Sequence, residues 1–172
     1  MATAENSPDQ HRRSAREQGA LRIAIVTVSD TRTPETDKNG IWLQEQIRQQ
    51  GHQVVAYELV KDDPSAIDGV LERLLATDAQ VLLFNGGTGI APRDNTYDAL
   101  AGRLQKVMPG FGELFRMLSY QDVGAAAMLS RAIAGVVEGR VLFSMPGSHG
   151  AVRLAWEKLI SPELHHLAWE VV

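Results

Sequence analysis

The chain contains no cysteine, which excludes disulfides, thiolate metal sites and cysteine nucleophiles. It has no run of about 18 apolar residues, so no membrane-spanning helix is expected. Nor does it carry a basic excess: 17 Lys and Arg stand against 21 Asp and Glu, a formal charge of −4. Phosphate-tracking surfaces usually need the opposite balance, so a nucleic-acid partner is not expected. The opening MATAENSPDQHRRSAREQG is polar and lacks the apolar core of a secretion signal. Residues 1–19 therefore read as a disordered, solvated arm of a cytoplasmic protein. Repeats, low-complexity tracts and internal linkers are missing too, so residues 20–172 read as one domain.

What is present suits a single well-cored domain, with 44% hydrophobic and 22% charged residues over 172 positions. LRIAIVTVSD (21–30) is rich in β-branched residues and reads as a buried strand running into a loop. A helix is expected from Asn39 or Gly40 to Gly51, a C-terminal capping residue. HQVVAYELV (52–60) reads as a second strand. Next, Asp63 can cap a helix and Pro64 fits its first turn. Ile67, Val70, Leu71, Leu74 and Leu75 then form an apolar stripe at helical spacing. AQVLLFN (79–85) is a third strand, and a helix should follow from Asn95 to about Leu104. Residues 109–124 read as helical after their first glycines. Residues 131–137 and 140–146 read as strands joined at a Glu138-Gly139 turn. Two helices close the chain, and Trp42, Trp156 and Trp169 are read as core anchors. Such alternation of strand and helix predicts an α/β fold with a mainly parallel sheet covered on both faces. Ligands of such sheets sit outside the carboxyl ends of the strands. The loops after Val28, Val60, Asn85 and Met145 are therefore expected to carry function.

One of these loops, within LLFNGGTGIAPRDN (82–95), packs three glycines into four positions. No Gly-Lys-Ser/Thr follows, so it is not a P-loop, and Gly86, Gly87 and Gly89 do not fit the dinucleotide fingerprint. The physics of an anion site still applies. Glycine permits positive φ and bares backbone N–H groups, Thr88 adds a hydroxyl, and the following helix points its positive end the same way. The plainer alternative is a tight turn with Asp94 as an ordinary N-cap. SDTRT (29–33), KDD (61–63) and PGS (146–148) follow the other strands and converge on one crevice if those strands are adjacent. Acids beside an anion cradle make sense when a divalent cation bridges them to a polyphosphate. This pattern suggests a Mg2+-nucleotide or a phosphorylated small molecule. Lys61, Arg32, Arg93 and Arg131 are candidates to offset phosphate charge. His165 and His166 are adjacent, share no helix face and make a poor metal pair. Phe111, Phe115, Met117 and Leu118 read as core or subunit contact, and 125–129 as close packing between subunits.

Taken in order, SDTRT, DKNG (37–40), NGGTGIAPRDNT (85–96), PGFGELFRMLS (109–119), SRAIAG (130–135) and MPGS (145–148) resemble the MoaB/MogA family of molybdenum cofactor biosynthesis proteins. The likeness runs over most of Leu21 to Leu164, and FGELFRMLS is more similar to the shorter B branch than to the longer adenylyltransferase branch. The resemblance implies a three-layer α/β/α molybdopterin-binding domain with a mixed, mostly parallel sheet, assembled as a trimer or hexamer. It also implies an activity, in which ATP and molybdopterin give adenylyl-molybdopterin and pyrophosphate with Mg2+ as cofactor. A non-catalytic molybdopterin-binding or carrier protein of the same pathway is the alternative. By motif match, Gly86, Gly87, Thr88 and Gly89 would hold phosphate. Asp94 would be one functional carboxylate and Asp62 the second, with Asp63 as the alternative to Asp62. Ser29, Asp30, Thr96, Pro146, Gly147 and Ser148 would line the same pocket. The nucleophile would be a phosphate monoester, whose second ionisation lies at about pH 6. No strong base is then needed, and Asp62 and Asp94 are read as Mg2+ anchors.

Overall fold

A computed structural model describes residues 19–171; apart from Gly19, the expected N-terminal arm lies outside them. Six strands form one sheet: β1 (Arg22–Val28), β2 (Gln53–Val60), β3 (Val81–Asn85), β4 (Lys106–Val107), β5 (Ile133–Val137) and β6 (Arg140–Met145). Their order is β2-β1-β3-β6-β5-β4. The first four in that order run parallel, while β5 pairs antiparallel with both β6 and β4. The helices are α1 (Lys38–Gln49), α2 (Pro64–Leu75), α3 (Thr96–Ala101), α4 (Pro109–Val123), α5 (His149–Leu154) and α6 (Ser161–Val171). A 3₁₀ segment (Gly124–Leu129) follows α4.

The three layers follow from strand geometry, because successive side chains point to opposite faces. Ile23 and Ile25 join Leu83 and Phe143 in a core against α1, α4, α5 and α6. Ala24 and Val26 join Leu82 and Phe84 in a second core against α2 and α3. Both faces of β1 are thus covered, and Ile23 to Val28 are all buried, as a central parallel strand requires. The chain leaves β1 for α1 on one face, and after β3 it reaches α3 on the other. Between β1 and β3 the strand order reverses, which opens a crevice at their carboxyl ends.

The Glu138-Gly139 hairpin forms as expected, with φ of +44° and +72° at its two central residues. Other boundaries differ from the sequence reading. Helix α3 stops at Ala101, and α4 begins at Pro109 without waiting for the glycines. β4 has only two residues, too few for any periodicity to register. The two closing helices are one continuous rod: a π-helical turn (Ala155–Ile160) joins α5 to α6, and the Ser161 N–H bonds back to Trp156 O. That wider turn lets the helix pass Pro162, which has no N–H to give. Trp156 is the buried anchor it was expected to be, at 1% exposure, but Trp169 is 43% exposed and anchors no core. Among the described residues no helix is long and apolar enough to cross a membrane.

His52 marks where the sheet meets α6. Its Nδ1 accepts from the Leu21 N–H at 3.2 Å, and its ring lies 4.8 Å from that of His165. Burial, and then the charge of His165, hold its pKa below the ordinary 6.5. The folded state therefore binds this proton less readily than the unfolded chain. Its contribution is fully present above pH 6.5 and is lost as pH falls toward the folded value. We expect the melting temperature to drop on acidification across that window and the drop to be shallower in His52→Gln. Identical slopes for parent and variant in melts from about pH 5 to 8 would remove His52 from the account.

Candidate active site

The floor of the crevice is polar although it is buried. Asn85, the last residue of β3, donates from Nδ2 to Val26 O at 3.2 Å and to Thr27 Oγ1 at 2.9 Å. Its Oδ1 accepts from Asn39 Nδ2 at 3.0 Å, and the same Nδ2 donates to Gly147 O at 2.8 Å. Asn39 Oδ1 meets His149 Nδ1 at 3.0 Å. Beside it Asp37, fully buried, accepts from Tyr57 Oη at 2.8 Å and from Arg32 Nη1 at 3.2 Å. Arg32 Nη2 completes the set on Gly147 O at 2.9 Å. A buried carboxylate needs such partners. Burial, and then Asp37, push the Tyr57 pKa upward, so the phenol stays a donor. This network holds the start of α1, the end of β3 and the loop after β6 in one arrangement. Sequence reasoning did not place Asp37, Asn39 or Asn85 in the site. The available signal was polarity at positions that helix and strand patterning leaves for the core.

The glycines are required by close approach. Gly86 has φ +105°, and a Cβ there would strike Val28 O. Gly87 has φ +63°, and its Cβ would strike Thr96 Oγ1 and Asp62 Oδ2. At Gly89 a Cβ would lie 2.5 Å from Asp94 Oδ2. The Gly86 N–H is spent on Met145 O at 3.0 Å, and a Cβ on Gly147 would stand 3.0 Å from Gly86 Cα. The loops after β1, β2, β3 and β6 therefore do converge.

The neighbouring acids differ in position. Asp62 Oδ1 accepts from the Asn95 N–H at 2.9 Å, and the Asp62 N–H donates to Asp30 Oδ1 at 3.2 Å. Burial is the main cause that raises the Asp62 pKa; the Asn95 bond opposes it, and the charges of Asp94 and Asp30 add to it. Asp63 turns away to cap α2, accepting from the Ser65 and Ala66 N–H groups at 3.0 Å each. Asp94 is not the N-cap of the plainer reading, because Asn95 holds that position. Its Oδ2 accepts from the Ala91 N–H at 2.8 Å, which leaves the carboxylate packed against Gly89.

The remaining sequence-selected residues also lie here. Ser29 Oγ accepts from the Thr31 and Arg32 N–H groups. Thr96 is fully buried, and its Oγ1 has no hydrogen-bond partner among the described residues. Ser148 caps α5 by accepting from the Ala151 N–H at 3.2 Å. Thr88, Gly89, Pro146 and Ser148 line a cavity of about 360 Å³ together with Phe115 and Leu154. Of the four candidate cations, Lys61 and Arg93 are exposed. Arg32 and Arg131 are instead bonded to loop carbonyls and carboxylates. Among the described residues, no three Asp, Glu or His side chains gather to enclose a metal by themselves. Mg2+ asks for less: one or two carboxylates, with phosphate oxygens and water completing its shell. Two acids against a glycine loop, with the Thr96 hydroxyl orphaned beside them, fit that requirement.

The sheet order and the crevice at its switch point define a three-layer α/β ligand-binding domain. Comparison with known proteins agrees. Residues 24–166 match the family model described as "Probable molybdopterin binding domain". The molybdenum cofactor biosynthesis protein B of Halalkalibacterium halodurans is 51% identical over 168 residues, covering 96% of this chain and 98% of its own. A crystal structure of a molybdenum cofactor biosynthesis protein B superposes with a TM-score of 0.86 at 52% identity, over 88% of this chain and 96% of that one. The tungsten cofactor synthesizing protein MoaB from Pyrococcus furiosus gives a TM-score of 0.81 at 33% identity, over 88% and 97%. The chain belongs to the molybdopterin-binding domain family that includes the MoaB and MogA proteins.

The glycine geometry generates a stability test. Gly87→Ala places a methyl against Thr96 and Asp62 at positive φ, and should cost about 1–3 kcal/mol. Gly150, in α5, has nothing within 4 Å of its Cβ position; Gly150→Ala should be neutral or slightly stabilising. Denaturant melts of the two variants check this, and equal stabilities would contradict the close-approach argument.

Proposed function

We propose that the protein acts in molybdenum cofactor biosynthesis in the cytoplasm, binding molybdopterin and adenylylating it with ATP and Mg2+. The observation that carries this reading is the position of Asp62 against Gly87 and of Asp94 against Gly89 in the glycine loop. The loop amides supply hydrogen-bond donors for phosphate. Asp62 and Asp94 would hold Mg2+, which when bound neutralises the charge of the phosphates. Ser29, Asp30, Thr96 and the Pro146-Gly147-Ser148 turn close the pocket around the ligand.

In the proposed reaction, an oxygen of the molybdopterin phosphate attacks the α-phosphorus of ATP. A new P–O–P link forms, the bond to the β-phosphate breaks, and pyrophosphate leaves. The attacking phosphate is already largely ionised at neutral pH, its second pKa being about 6. The chain therefore has to align and neutralise more than to abstract a proton. A carrier that binds pterin without turnover would use the same loop, and the presence of both carboxylates favours the enzyme.

Asn preserves the shape of Asp but not its charge, so it separates these roles. We expect Asp94→Asn and Asp62→Asn to melt near the parent temperature and to form adenylyl-molybdopterin on the order of a hundredfold more slowly. Asp63→Asn, which can still cap α2, should retain activity. The measurement is single-turnover product formation at saturating Mg2+. Full activity in Asp94→Asn would remove that acid from catalysis, and a parent that never turns over would establish the carrier reading.

We further propose that the chain assembles as a trimer or as a hexamer of paired trimers. Phe111 and Phe115 are buried within the subunit, which leaves Leu114, Met117, Tyr120, Val123, Met128 and Leu129 exposed on α4 and the 3₁₀ segment. Large apolar side chains grouped in this way mark a contact surface. Light scattering at micromolar concentration should give three or six chains per particle, and a monomer would contradict the assembly.

A further inference from the structure

Arg131, at the entry to β5, was a candidate to neutralise ligand phosphate. Its contacts give it different work. Nε donates to Gly89 O at 2.8 Å and Nη2 to Asp94 O at 3.0 Å. Nη1 is held by Asp98, at 3.0 Å from Oδ1 and 2.9 Å from Oδ2. The Tyr97 ring supports the guanidinium at 4.9 Å. Its main-chain N–H adds a bond to Thr88 O at 3.2 Å. One residue therefore gathers carbonyls from both ends of the 88–94 loop.

Peptide units are planar, and no cis bond occurs among the described residues. In a trans unit the N–H points opposite to the C=O. A carbonyl drawn toward Arg131 therefore turns the next residue's N–H away from it. The Asp94–Asn95 unit shows this directly, since its C=O meets Arg131 while its N–H reaches Asp62 Oδ1 at 2.9 Å. By the same geometry the Thr88–Gly89 and Gly89–Ile90 units direct the Gly89 and Ile90 N–H groups away from Arg131.

We propose that Arg131 is a positioning residue: by collecting the Thr88, Gly89 and Asp94 carbonyls, it aims the Gly89 and Ile90 amides at the ligand phosphate and seats the Asn95 amide on Asp62. The inference rests on the reading of the glycine loop as a phosphate cradle. Only an arginine serves, because the task needs a planar fan of N–H donors in three directions. Lysine keeps the charge but supplies a point contact.

The test uses the full chain and Mg2+ with inorganic pyrophosphate as the probe, measured by calorimetry for the parent, Arg131→Gln and Arg131→Lys. Amide hydrogen exchange over residues 86–96 is followed without ligand in the same samples. We expect both variants to bind the probe about tenfold more weakly, and exchange at the hydrogen-bonded amides of Ala91, Asp94 and Asn95 to quicken while the central strands keep their protection. Parent-like affinity and exchange in both variants would overturn the positioning role. A parent that does not bind the probe overturns the cradle reading instead. The exchange data then decide the role of Arg131 alone, and unchanged rates at those amides sink it. If Arg131→Gln fails to fold, Asp98→Asn loosens the same guanidinium from the outside and should give a smaller loss in the same direction.

Discussion

The carboxyl ends of β1 and β3 approach so closely that no side chain fits at Gly86, where a Cβ would occupy the space of the Val28 carbonyl. The rest of the site depends on that approach. Parallel register sets Thr27, Asn85 and Met145 side by side across three strands, so the loops that follow leave the sheet at one level. The reversal of strand order then sends the chain to opposite faces after β1 and β3, and a crevice is left between them. Without glycine at 86 the loops would separate. Asp62 would lose its seat beside Gly87, and the Gly147 carbonyl would leave Asn39 and Arg32.

Beneath the crevice, hydrophobic packing gives way to a buried polar set of Asp37, Asn39, Asn85 and Thr27. Satisfied networks of this kind add little net stability but specify one arrangement, because any alternative strands a donor or an acceptor. Asn39 is the junction, since its amide touches β3, the loop after β6 and His149 together. The buried Thr96 hydroxyl is an exception, with no hydrogen-bond partner among the described residues. It lies against Gly87, in the wall of the proposed cradle, where an unsatisfied group is tolerable if a ligand completes it.

The fold was largely legible because its signals are local. β-branched runs such as IAIVTV declare buried strands, and the stripe from Ile67 to Leu75 declares α2. The alternation of the two declares a parallel sheet. Asp63 was equally legible as a cap, since Asp-Pro before an apolar stripe is a local pattern. The position of Asp62 was not, because it depends on an Asn95 N–H 33 residues away. The same holds for Arg131, whose partners Gly89, Asp94 and Asp98 lie 42, 37 and 33 positions earlier. Nothing in the residues around it announces a clamp. The closing segment reads as two helices, and only the widened turn before Pro162 shows that the chain carries on as one.

The central claim is that the crevice between β1 and β3 binds phosphate on its glycine loop, with Mg2+ held by two acids. The most direct measurement is a crystal structure of the protein with Mg2+ and an ATP analogue whose α,β-bridging oxygen is replaced by methylene, which cannot release pyrophosphate. The account predicts phosphate oxygens within hydrogen-bond distance of the Gly87 to Ile90 amides, and Asp62 and Asp94 bound to the cation directly or through water. Triphosphate density on another face of the sheet, or a cation bound away from both carboxylates, would contradict it.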